Sequence, residues 1–129
     1  MKRKTWKILA AVPILGILLS TGALADSPPK MPYVFGMYCY MCHQQKVQIG
    51  PVGILDMKSK EGNDLNSEYI RNNVRFGYNA MPAFRLSEVS AKQLDDIVSY
   101  LKELAKYRKV HPSYQPTVRS VSSKGGEGK

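Results

Sequence analysis

The stretch MYCYMCHQQ, residues 37–45, holds both cysteines of this 129-residue chain and the first of its two histidines. Cys39, Cys42 and His43 lie within five consecutive residues, and cysteine occurs nowhere else. A Cys-x-x-Cys pair alone is typical of a disulfide, of a thiol-exchange site or of half a zinc site. The histidine directly after the second cysteine favours a different chemistry, the covalent attachment of haem c.

The spacing of these three residues has a physical reason. One helical turn separates the two thiols, so each can form a thioether with one vinyl group of the same porphyrin, and the imidazole of His43 then faces the iron. A zinc site would need two more ligands, and only His111 remains to help. The sequence therefore predicts one haem c, attached through Cys39 and Cys42 and ligated by His43, with a redox-active dithiol as the alternative.

A haem iron that only carries electrons needs a second axial ligand, usually a methionine or a histidine. The candidates after residue 30 are Met31, Met37, Met41, Met57, Met81 and His111. Met81 is favoured because it lies 38 residues after His43, far enough to reach the other face of the ring. Pro82 has a fixed φ and restricts Met81 to extended backbone, which makes a stiff loop for presenting a thioether. Methionine also commonly fills protein cores, so each candidate has that ordinary alternative.

The N-terminal 25 residues have the layout of a secretory signal peptide. A basic leader precedes an apolar run over residues 8–19, and Ala23-Leu24-Ala25 forms a small-x-small cleavage site. The run is too short to span a membrane comfortably. We therefore expect cleavage after Ala25 and a periplasmic protein without stable membrane insertion. The alternative is an uncleaved N-terminal membrane anchor.

Charge is distributed unevenly along the chain. The formal net charge is +9, but residues 26–107 are nearly neutral and much of the excess lies in residues 1–25 and 108–129. Residues 26–107 are therefore expected to form the domain, and residues 108–129 a basic tail that is disordered or loosely docked. No stripe of basic and aromatic residues supports nucleic-acid binding, and no pair of carboxylates is placed for acid–base catalysis.

The rest of the pattern predicts helices alone. A first helix is expected over residues 33–44, with Phe35 packed inward. A second, roughly residues 68–76, would be capped by Asn66 or Ser67 and end at Gly77. A third, about residues 91–107, begins with a Ser90–Gln93 capping box and carries one apolar face. That face is formed by Leu94, Ile97, Val98, Leu101 and Leu104.

The order of these features resembles a small class I cytochrome c over residues 31–107. The resemblance is carried by Cys39-Tyr40-Met41-Cys42-His43, Gly50-Pro51, Met81-Pro82 and the amphipathic helix that follows. It implies an all-α fold, with three to four helices wrapped around one covalently bound haem. It also implies His43 and Met81 as axial ligands, Cys39 and Cys42 as thioether anchors, and the Pro51 carbonyl as acceptor of the His43 Nδ1 hydrogen bond. Many members have glycine where this chain has Met31.

More narrowly, "VQIGPVGIL", "EYIRNNVRFGYNAMPAFR" and "LDDIVSYLKEL" resemble the cytochrome subunits of flavocytochrome phenol-oxidising enzymes of the p-cresol methylhydroxylase type. This implies an electron-transfer protein, itself not an enzyme, that takes single electrons from a dehydrogenase and passes them to another cytochrome or an oxidase of the respiratory chain. The alternatives are an acceptor for a quinoprotein alcohol dehydrogenase and, with an open iron, a haem sensor or peroxidase. The candidates for binding the haem propionates are Tyr69, Arg71, Arg75 and Tyr78.

Overall fold

The computed structural model describes residues 27–47 and 49–118. The predicted signal peptide and the end of the predicted tail, residues 119–129, lie outside the described residues. The described part is helical, with two isolated β-bridges and no strand, which confirms the all-α prediction. In chain order the elements are a π-helical segment Phe35–Cys39, α1 Tyr40–His43, a 3-10 helix Val52–Asp56, α2 Ser67–Phe76 and α3 Ala91–Val110. No helix within the described ranges is long and apolar enough to cross a membrane.

The first helical segment is less regular than predicted. Residues 33–43 are helical, but Phe35–Cys39 is wound as a π-helix, in which the Tyr40 N–H donates to the Phe35 carbonyl. Single π-helical turns within helices are frequent at functional sites. Phe35 is buried as predicted, and its ring lies 5.2 Å from that of Tyr100. The helix therefore meets α3 directly before it presents the cysteines.

The starts of α2 and α3 follow the predicted caps. The Asn66 side chain accepts a 2.7 Å hydrogen bond from the Tyr69 N–H. At the start of α3, the Gln93 N–H donates to Ser90 Oγ over 3.2 Å, and the Ser90 N–H donates to Gln93 Oε1 over 2.8 Å. These bonds satisfy backbone donors that have no partner within a helix. The two helices therefore begin where short-range chemistry places them.

The apolar face of α3 forms the centre of the core. Leu94, Ile97, Val98, Leu101 and Leu104 are buried as predicted. They pack with Phe35 from the first segment, Leu55 from the 3-10 helix and Ile70 and Val74 from α2. Met31, where the resemblance noted above leads to the expectation of glycine, is fully buried in the same cluster. This core fixes the relative positions of the segments that carry the cysteines, His43 and Met81.

Of the tail predicted to be disordered or loosely docked, residues 108–118 are described, and several of them contact the domain. α3 continues to Val110 because Arg108 extends its buried face and forms an ion pair with Asp56, with Nε 2.6 Å from Oδ1 and Nη2 3.1 Å from Oδ2. Arg108 also donates to the Tyr114 carbonyl. Further along, the Tyr40 hydroxyl donates to the carbonyl of buried Pro116. Composition alone marked Arg108 as a tail charge, although its charge is neutralised inside the fold.

Candidate functional site

A cavity of about 580 Å³ lies between the cysteine-bearing segment, α2 and α3. Protein pockets for small molecules and cofactors commonly have 300–1,000 Å³. All five residues predicted for the site line it: Cys39, Cys42, His43, Pro51 and Met81. Apart from His43, the buried part of its wall is apolar and is formed by Phe35, Ile70, Val74, Ile97 and Leu101. The fold thus brings two thiols, an imidazole and a thioether together around one apolar space.

His43 is held in one orientation. Its side chain is buried, and its Nδ1 lies 3.0 Å from the Pro51 carbonyl oxygen. A Cβ added to Gly50 would lie 2.8 Å from both Cε1 and Nδ1 of His43, so only glycine leaves room for the ring. No described residue is a hydrogen-bond partner of Nε2. An imidazole oriented through Nδ1, with Nε2 left for another partner, is the usual arrangement of a metal-ligating histidine.

The two cysteines are free in the structure and partly buried. Burial, together with the neighbouring Cys42, raises the pKa of the Cys39 thiol to about 12. Thiol-exchange sites need the opposite shift, because the thiolate is the attacking species. A zinc site is not supported either, since the described ranges contain no group of three His, Cys, Asp or Glu side chains placed to hold a metal ion. Two thiols beside an apolar cavity, with the pKa of Cys39 raised, fit thioether formation with a porphyrin better than exchange chemistry.

The loop that carries Met81 is tied to the end of α2. Gly77 ends the helix with φ of 72°, and an added Cβ there would lie 2.7 Å from the Met81 carbonyl oxygen. Tyr78 and Met81 exchange backbone hydrogen bonds of 3.0 and 2.9 Å. The Phe84 N–H then donates to the Val74 carbonyl over 2.8 Å. Met81 is half-buried and packs against the core, so its side chain has a defined position at the cavity.

The other candidates for the second axial ligand lie elsewhere. Met31 is fully buried in the core, whereas Met37 and Met41 are more than half exposed. Met57 packs against the core without lining the cavity, and His111 stacks on Tyr107 with ring centroids 4.2 Å apart. Met81 is the one methionine of the described ranges that lines the cavity.

The predicted propionate-binding residues divide into two groups. Tyr69 and Tyr78 line the cavity, but Arg71 and Arg75 do not. Arg71 forms an ion pair with Asp95, and Arg75 donates to backbone carbonyls. A polar loop that was not predicted as part of the site also lines the cavity. It consists of Lys58, Ser59, Lys60 and Glu61. Only the excess of charged residues in "KSKEGND" hinted at this loop, and charge alone does not predict its placement.

Taken together, the donor set fits a haem c. Two thiols at the spacing of an attachment motif, one oriented imidazole and one thioether sulfur are what covalent attachment and double axial ligation require. The apolar wall is suited to a porphyrin, and the polar loop and tyrosines would be available to its carboxylates.

Comparison with known proteins agrees with this site. The family model described as "Cytochrome C oxidase, cbb3-type, subunit III" matches residues 27–101. The cytochrome c subunit of 4-cresol dehydrogenase [hydroxylating] from Pseudomonas putida is 36% identical over 91 residues, which is 69% of this chain and 74% of that protein. No solved structure matches significantly. With its Cys-x-x-Cys-His motif beside this cavity, the chain belongs to the cytochrome c family and is an electron carrier rather than an enzyme.

Proposed function

We propose that this protein is an exported cytochrome with a single haem c that accepts electrons one at a time from a dehydrogenase and passes them towards the respiratory chain. The observation that carries the proposal is the shared cavity of His43 and Met81. With an imidazole and a thioether both available, the iron has no free position for a substrate, which favours electron transfer over peroxide chemistry or gas sensing.

In this proposal Cys39 and Cys42 hold the haem covalently, while His43 and Met81 ligate its iron. The bound haem supplies a single iron that alternates between the ferrous and ferric states. The Pro51 carbonyl fixes the His43 ring, and the loop ties described above fix Met81, so that little rearrangement accompanies a change of charge. The apolar wall favours the less charged ferrous state and so raises the reduction potential.

The ligand assignment can be tested by optical spectroscopy of protein matured with haem. We expect a weak far-red band in the oxidised form, typical of sulfur ligation, and no binding of carbon monoxide by the reduced form. Met81→Ala should lose the band and bind carbon monoxide. Met37→Ala is the matched control, because Met37 is 54% exposed and should leave both properties unchanged. Ready binding of carbon monoxide by the unaltered protein would refute the carrier function.

The proposed electron donor is a flavin-dependent phenol-oxidising dehydrogenase. This part of the proposal is supported by the 36% identity to a cytochrome subunit of such an enzyme. Mixing the oxidised cytochrome with a 4-cresol-oxidising flavoprotein and its substrate should produce the reduced α band within the turnover time of the enzyme. Faster reduction by a quinoprotein alcohol dehydrogenase with its alcohol would instead favour that class of donor.

Export to the periplasm is also proposed, on the layout of residues 1–25. The mass of the mature protein tests it. We expect a polypeptide that begins at Asp26 and carries one haem, recovered in the periplasmic fraction. An intact N-terminus in the membrane fraction would identify residues 1–25 as an anchor.

A further inference from the structure

Arg75 makes an unusual pair of contacts at the end of α2. Its Nη1 donates to the Phe84 carbonyl over 3.1 Å and to the Val89 carbonyl over 2.7 Å, and the side chain is partly buried. Phe84 lies at the end of the Met81 loop, where its N–H donates to the Val74 carbonyl of α2, and Val89 is a buried residue just before α3. One guanidinium group therefore joins α2, the end of the loop and the segment that leads into α3.

The charge of Arg75 is directed to backbone carbonyls alone. Within the described ranges Arg75 has no carboxylate partner, whereas Arg71, one turn earlier on the same helix, pairs with Asp95. Hydrogen bonds from an ionised donor are stronger than neutral ones. These two bonds therefore fix the loop more firmly than a neutral side chain at position 75 would.

The Met81 loop has few other attachments. At its beginning Gly77 turns the chain in a space that no side chain could share, since an added Cβ would also lie 3.0 Å from the Ala83 nitrogen. At its end the loop is held by the Phe84 N–H bond to Val74 and by Arg75. The residues in between, Tyr78 to Ala80, are exposed. Besides the Tyr78–Met81 backbone bonds and the packing of Met81 on the core, the position of the Met81 sulfur thus depends on what holds the two ends of the loop.

We propose that Arg75 is a positioning residue for Met81: by binding the Phe84 and Val89 carbonyls it keeps the thioether at the iron and resists its replacement by external ligands. This inference rests on the proposed function, because it takes Met81 as an axial ligand. It gives Arg75 a role different from the propionate contact suggested by the sequence, and it does so through backbone atoms of the loop.

Competition with imidazole tests this role. Imidazole binds ferric haem iron only where Met81 has left, so its apparent affinity, followed through loss of the far-red band, measures how firmly the loop holds the sulfur. Arg75→Met should bind imidazole at least about tenfold more tightly than the unaltered protein. A hydrogen bond from a charged donor changes such an equilibrium constant by about tenfold or more. Arg75→Lys should show a smaller increase, since a single ammonium group does not reproduce both bonds.

Arg71→Met is the matched control. It removes a cation from the same helix, but one whose partner Asp95 is exposed and distant in sequence from the loop, so its imidazole affinity should equal that of the unaltered protein. If Arg75→Met does not accumulate with haem, Arg75→Lys decides the question by the same titration.

Three results would overturn the inference. Imidazole affinity in the Arg75 variants could equal that of the unaltered protein, it could rise equally in Arg71→Met, or only the midpoint of urea unfolding could fall. In each case the unaltered protein would keep its far-red band, and the proposed function would stand. If the unaltered protein lacked that band and bound carbon monoxide, both the proposed function and this inference would fail.

Discussion

Gly50→Ala tests the orientation of His43. The atoms nearest to the added methyl group belong to the histidine ring and to the Cys42 carbonyl, and Gly50 does not have a positive φ. The backbone conformation thus tolerates alanine, and any effect comes from the contact itself. The new Cβ would lie 2.8 Å from Cε1 and Nδ1 of His43 and 3.2 Å from the Cys42 carbonyl oxygen.

The expected magnitude follows from these distances. Ordinary van der Waals contact begins near 3.4 Å, so the ring must move by at least about 0.6 Å. Introducing a methyl group into a well-packed site costs about 1–3 kcal/mol. The shift also lengthens the 3.0 Å contact between Nδ1 and the Pro51 carbonyl, a hydrogen bond worth about 1 kcal/mol. We expect a loss of about 2 kcal/mol in the free energy of unfolding.

Urea unfolding of the haem-loaded protein measures this loss. With a slope of about 1–3 kcal/mol per molar urea for a small protein, the midpoint should fall by about 1 M. The reduction potential should also rise, because a weaker hydrogen bond makes the imidazole a poorer electron donor and disfavours ferric iron. Gly62→Ala is the control. The φ of 87° at Gly62 makes alanine strained, but the added Cβ would have no atom within 4 Å other than those of its chain neighbours.

Gly62→Ala should therefore cost about 1 kcal/mol through backbone strain and leave the potential unchanged. The reasoning would be refuted if Gly50→Ala kept the potential and unfolding midpoint of the unaltered protein, or if both variants shifted the potential alike.

Two further predictions concern buried residues of α3, Arg108 and Tyr100. Arg108→Met should lower the free energy of unfolding, measured by urea titration, by about 2–3 kcal/mol. The reason is that it removes charged hydrogen bonds to Asp56 and Tyr114 from a buried site. A change below about 0.5 kcal/mol would contradict this stabilising role of Arg108. Tyr100→Phe should be neutral or stabilising by about 1 kcal/mol at pH 7, because the Tyr100 hydroxyl is buried without a hydrogen-bond partner among the described residues. A clear loss of stability would show that the hydroxyl does have a hydrogen-bond partner. Burial, and then the nearby Tyr114, raise the pKa of Tyr100 above its ordinary value of 10.0, so the stability due to its neutral form is complete below about pH 10 and is lost as the pH rises further. Tyr100→Phe should reduce this alkaline loss, as measured by unfolding midpoints between pH 8 and pH 11.

The features that depend on short stretches of sequence were predictable. Ser90 and Gln93 form the capping box of α3 because both partners lie within one turn, and Asn66 caps α2 for the same reason. The family was predictable because Cys39, Cys42 and His43 must be close in sequence to serve one porphyrin.

The features that depend on long-range packing were not. The sequence predicted the helix that carries Arg71 and Arg75, but it did not predict where their side chains point. Those directions are set by Asp95 on α3 and by backbone carbonyls in and after the Met81 loop. The 3-10 helix Val52–Asp56 was missed because its partner, Arg108, lies 52 residues away. The placement of Lys58 and Lys60 at the cavity likewise depends on the fold around them.

The bond from the Tyr40 hydroxyl to Pro116 has a consequence for how the polypeptide reaches its final state. It joins residues 76 positions apart, and Tyr40 lies between Cys39 and the rest of the attachment motif. Contacts of such long sequence separation form late in folding, because a large loop must close first. During synthesis, both cysteines would emerge long before Pro116 is available to bond to Tyr40. The order of the chain thus leaves an interval in which haem could be attached before the bond between Tyr40 and Pro116 holds the cysteine-bearing segment in place.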